Sequence, residues 1–186
     1  MSLRRGFKSE ADQYAREMRD ELDLTKHAPL CPWQLASHLE IPIVPLSALR
    51  LAAPMAIDYL MRRGSADFSA VTIFCGQHGC KRLVCHNDGH AKTRQAANIA
   101  HELSHAILGH PATKPFEVDA IAEEEAKWMG PAILVSQDCA VHIVRCNKAI
   151  DVAAIEYGVS ETLMRMRLNV TGVLKRARRL RQRHSA

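Results

Sequence analysis

The sequence predicts an α+β fold that is predominantly helical. Three observations carry this. Apolar residues recur at helical spacing over most of the chain. Segments 68–75 and 81–86, rich in β-branched and aromatic residues, flank the turn Gly76-Gln77-His78-Gly79 and read as a hairpin. The last third is a succession of short amphipathic helices, two of them joined at helix-turn-helix spacing. The expected arrangement sets a helix bearing His101-Glu102-Leu103-Ser104-His105 and a partner helix beside a small antiparallel sheet, with a C-terminal helix-turn-helix-like segment.

In chain order, Ser9 can cap a first helix reaching about residue 24, with Ala11, Tyr14, Ala15, Met18 and Leu22 as its apolar strip. Pro32 opens a short helix over residues 32–39. Residues 41–46 are extended, because Pro42 and Pro45 forbid a helix and favour an edge strand. A third helix over residues 52–63 is closed by Gly64. After the hairpin, residues 92–108 contain neither Pro nor Gly, and Gly109-His110-Pro111 ends that helix. A further helix runs over residues 116–135, with Pro131 expected to kink or break it. Helices over 137–146, 148–157 and 160–168 follow, the last capped by Ser160.

Composition narrows the function classes. A chain of 186 residues with 47% hydrophobic content can bury a proper core. No apolar run approaches the ~18 residues needed to cross a bilayer, and the N-terminal basic residues have no apolar stretch behind them, so a cytoplasmic location is expected. The net charge of +5 is uneven: residues 162–186 hold eight Lys/Arg and no acid, and the rest carries a balance of −3. The six cysteines form no C-x-x-C and read as reduced thiols. Cys75 and Cys80 bracket a turn with His78, but four well-spaced metal ligands are not visible there.

The chemistry concentrates at H-E-x-x-H. On a helix His101 and His105 lie one turn apart and about 40° around the axis, so both imidazoles can serve one metal ion. Glu102 falls on the flank of the pair, where it can take a proton from water without competing for the ion. The pattern is not that of a metzincin, since Leu108 and Pro111 stand where a Gly and a third His are required. A carboxylate from a second helix is then the expected third ligand, and Glu123-Glu124-Glu125 is the good supplier downstream. Apolar periodicity turns Glu125 inward, whereas Glu123 lies among Ala120, Ala126 and Gly130, small residues that let another helix approach. The residues alone leave the two open. His86, His90, Arg94 and His110 are candidates, by nearness in sequence, for stabilising the oxyanion.

These residues resemble the ImmA/IrrE family of zinc metallo-endopeptidases. The resemblance rests on Arg94…Asn98-Ile99-Ala100-HELSH-Ala-Ile-Leu-Gly-His, on Glu123-x-x-Ala126-x-x-Met129 and Ile133-Leu134, on the opening Arg4-Arg5-Gly6-Phe7, and on Gly158-Val159-Ser160. It implies Zn²⁺ held by His101, His105 and Glu123, with Glu102 as the catalytic base. Met129 and Gly130 stand where the family usually has Phe and Ala. The family's typical substrates, repressors of mobile elements or stress regulons, point to a helix-turn-helix transcriptional repressor encoded nearby.

Residues 1–136 are expected to form the metallopeptidase domain, 137–174 a helical extension packed on it, and 175–186 a basic tail able to contact nucleic acid. As a DNA reader, the second helix of the helix-turn-helix pair would offer Arg165 and Arg167. A non-proteolytic DNA- or partner-binding regulator that keeps zinc as a structural ion is the alternative. No membrane association is expected.

Overall fold

The computed structural model describes residues 3–62, 68–75, 82–111 and 119–184. Helix α1 spans Phe7–Glu21, starting ahead of the Ser9 cap that local residue types favour. Gly6, at φ 87°, makes the entry, and Phe7 is thereby buried completely. Helix α2 covers Pro32–His38, with Pro32 in its first turn. Strand β1, Ile43–Pro45, leads through a 3-10 turn, Leu46–Leu49, into helix α3, Pro54–Arg62. The expected stop at Gly64 lies outside the described residues, as do His78 and Cys80.

Strands β2, Ala70–Phe74, and β3, Arg82–His86, pair antiparallel as the hairpin pattern predicts. The sheet is mixed rather than antiparallel, in the order β1-β3-β2. β1 runs parallel to β3, Val44 opposite Cys85. The crossover through α3 and β2 returns the chain in that direction; Pro45 ends β1, an edge strand where a missing N–H is tolerated, and Pro42 immediately precedes it.

Helix α4 covers Lys92–Ile107 and α5 covers Ala120–Leu134. Asp119 is the α5 cap, accepting from the amides of Ile121 and Ala122; Phe116, where a helix is expected to begin, lies outside the described residues. Pro131 does not break α5. It lies near the C-terminal end, and the carbonyl it leaves without an N–H is that of exposed Lys127, which water can satisfy.

Helices α6, Gln137–Arg145, α7, Ile150–Glu156, and α8, Glu161–Val170, follow, with Ser160 capping α8 through the Leu163 amide. The basic tail is itself helical: α9 covers Val173–His184, with Lys175, Arg176, Arg178 and Arg179 exposed. No helix among the described residues is long and apolar enough to cross a membrane.

Two apolar cores meet at α4 and α5. Phe7, Leu35, Ile99, Leu103, Met129 and Ile133 fill one, and Ala100, Leu134, Ile143, Tyr157, Met164 and Leu168 fill the other. Arg167 corrects the expectation that it is free to read a DNA groove. It is 1% exposed, donates from Nε to the Val135 carbonyl at 2.7 Å and lies over the Trp128 ring. Arg165 is exposed and pairs with Glu161.

Candidate metal centre

Helices α4 and α5 touch backbone to backbone at one point. A Cβ on Gly130 would stand 3.0 Å from both the Cα and the amide nitrogen of His101. Ala126, one turn before Gly130, is also fully buried, so this small-residue face brings α5 close enough for a short side chain to cross. Glu123 crosses there. His101 Nε2 and His105 Nε2 are 3.3 Å apart, Glu123 Oε1 is 3.4 Å from His105 Nε2, and Glu123 Oε2 is 3.6 Å from His101 Nε2.

This triangle has the dimensions of a metal site. Ligand bonds of 2.0–2.1 Å at tetrahedral angles require donor atoms roughly 3.3–3.4 Å apart. Two imidazoles and one carboxylate, each half-buried, supply the donors, and these three side chains can converge on one ion. Burial, reinforced by neighbouring His101, pushes the His105 pKa down to about 4. The imidazole is therefore neutral near pH 7, with a lone pair to offer.

Glu102 lies beside the triangle and lines the same cleft as His105 and Glu123. Burial pushes its carboxyl pKa up, Glu123 adds to this, and a hydrogen bond from the Thr72 hydroxyl to Oε2, 2.6 Å long, works against it. A carboxylate tuned upward is suited to taking a proton and giving it back. The cleft, about 260 Å³, is walled by β2 on one side and by His110, Pro111 and the start of α5 on the other.

The acidic triplet divides three ways. Glu123 faces the histidines, Glu124 pairs with Lys127 at 3.3 Å near solvent, and Glu125 is buried between Arg4 and His110. Periodicity thus placed Glu125 inward correctly, but its partner is not the histidine pair. Of the candidates near in sequence, His110 lines the cleft, whereas Arg94 bonds Ser69 and His86 is buried edge-on against Trp33. Thr72 and Arg4 are additions that spacing does not reveal. A threonine in a strand carries no signal of the carboxylate opposite it, and Arg4 is far from α5 in sequence.

No curated protein and no solved structure matches the chain. The profile of the IrrE N-terminal-like domain, a peptidase family, matches residues 62–169, from the end of α3 almost to the end of α8. That span exceeds half the length and contains the whole triangle, Glu102 and Thr72, and so the chain belongs to the IrrE N-terminal-like family of peptidases.

Proposed function

We propose that this protein is a zinc-dependent endopeptidase that hydrolyses a peptide bond in a protein substrate, a helix-turn-helix transcriptional repressor encoded nearby. The observation that carries the reading is the donor triangle of His101, His105 and Glu123 with the Glu102 carboxylate beside it in one cleft. The nitrogen and oxygen donors suit Zn²⁺, which when bound acts as a Lewis acid on the scissile carbonyl and acidifies water. Glu102 takes the proton of the attacking water and delivers it to the leaving amine. Thr72 holds Glu102 in place for both transfers.

Strand β2 supplies the binding surface. Among the described residues it pairs on one side only, with β3, and Val71, Ile73 and Phe74 are exposed along it. Its open edge offers backbone N–H and C=O groups to an extended peptide laid beside the cleft as an added strand. The identity of the substrate rests on the family resemblance of the sequence. Residues 1–136 carry the chemistry in this reading, residues 137–174 are a packed extension, and the exposed cations of α9 give the protein an electrostatic hold on nucleic acid in the cytoplasm.

Zinc stoichiometry and repressor cleavage, measured together on wild type and Glu123→Ala, test the assignment. One zinc per wild-type chain and loss of both zinc and cleavage in the variant are expected. A Glu123→Ala chain that keeps its zinc and its activity would remove Glu123 from the site.

A further inference from the structure

His105 turns Nε2 toward the triangle, which leaves Nδ1 on the opposite side of its ring. A metal-binding imidazole is held in plane by whatever accepts the proton of that second nitrogen, and removing the acceptor weakens the metal. Here the acceptor is another histidine. Gly109, at φ 68°, reverses the chain after α4, and the His110 amide donates to the His105 carbonyl at 2.9 Å. This returns the His110 ring over His105, Nδ1 to Nδ1 at 2.9 Å. His110 Nε2 lies 3.3 Å from Glu125 Oε2, and Glu125 Oε1 accepts from Arg4 Nε at 2.7 Å. The other two guanidinium nitrogens of Arg4 hold Glu10, at 2.6 and 2.7 Å.

Counting protons leaves one assignment for this row. With the His105 Nε2 lone pair facing the triangle, its proton sits on Nδ1 and is donated to His110 Nδ1. His110 then carries its own proton on Nε2 and donates it to Glu125, which remains a carboxylate between His110 and Arg4. Each ring N–H of the row thereby meets an acceptor. The side chains of His110 and Glu125 are only 12% and 9% exposed, so water competes little for these bonds.

We propose that His110 and Glu125 are positioning residues for the metal ligand His105, and that Arg4 anchors them, so that the segment preceding α1 is part of the metal centre. The inference rests on the zinc reading above and deepens it. His110 fixes the tautomer and plane of His105; Glu125 fixes His110. Arg4, half-exposed, holds the far end of the row and links its integrity to the seating of the N-terminal residues.

The test is zinc affinity by competition with a chromophoric chelator, on wild type, His110→Ala, Glu125→Gln, Arg4→Ala and the double variant His110→Ala/Glu125→Gln. Histidine ¹⁵N spectra of the zinc-loaded chains accompany it. His110→Ala and Glu125→Gln should each weaken zinc by roughly 10- to 100-fold, Arg4→Ala by less. The double variant should be no weaker than His110→Ala, because Glu125 acts through His110. The spectra should show His105 protonated on Nδ1 in wild type, with that signal shifted or exchanging rapidly in His110→Ala. If His110→Ala does not fold, the near-isosteric Glu125→Gln carries the same test. A wild-type chain that binds no zinc ends the metal reading and this inference with it. Tight wild-type binding that is unchanged in His110→Ala and Glu125→Gln overturns the positioning roles alone.

Discussion

Thr72, on the edge strand β2, donates its hydroxyl to Glu102 Oε2 over 2.6 Å. The group read as the proton carrier is thus held by a strand that lines the cleft. Thr72→Val keeps the shape and removes the bond. Zinc content should be unchanged, while repressor cleavage should fall roughly 10- to 100-fold, the cost of a misplaced catalytic group. Initial cleavage rates of the two proteins check this, and an unaltered rate would dismiss Thr72 as an orienting group.

Gly130 sets the spacing of α4 and α5. Alanine there gains about 1 kcal/mol of helix propensity. In this chain its methyl group would meet the His101 backbone at 3.0 Å, where no side chain can swing aside. Overpacking costs about 1–3 kcal/mol, so Gly130→Ala should be less stable by about 1 kcal/mol net in the zinc-free state. It should also bind zinc more weakly, since Glu123 rides on the displaced helix. Denaturant unfolding and chelator competition measure the two effects.

The turn after β1 is tied to the loop before α4 by Asp88, whose carboxylate accepts from the Ser47 amide at 3.0 Å and hydroxyl at 2.6 Å. Burial alone would push the Asp88 carboxyl up, but the Ser47 bonds outweigh it and hold the pKa below the usual range. Stability from this pair is therefore present above the unfolded aspartate value of about 4 and is lost as pH falls through the lower folded value. Ser47→Ala should cost roughly 1–2 kcal/mol at pH 7 and less at pH 3. Urea unfolding at the two pH values reads the difference. A cost that grows toward pH 3 would reverse the sign.

Helix α9 presents Lys175, Arg176, Arg178 and Arg179 to solvent, whereas Arg167 on α8 is buried. Truncation before Lys175 should abolish low-salt retention on heparin or DNA and leave repressor cleavage intact. Retention that survives truncation would move the polyanion contact elsewhere.

Much of the geometry is legible because α4 is uninterrupted, so a helical wheel brings His101 and His105 to one side of the helix with Glu102 on the flank. The wheel was less use for the acidic triplet. It gives one inward angle, but α5 faces two inward partners, the histidine pair through Glu123 and His110 through Glu125. Arg167 looked solvent-facing because a cation in a short helix ordinarily is; its partners Val135 and Asp12 come from elsewhere in the chain. The parallel pairing of β1 has the same origin, a long crossover that no local residue pattern records. At the start of α1 the burial of Phe7 outweighed the capping preference of Ser9.

Zinc content and repressor cleavage of the isosteric Glu102→Gln variant address the central claim most directly. One zinc per chain with cleavage abolished is the predicted result. A variant that cuts at the wild-type rate would contradict it.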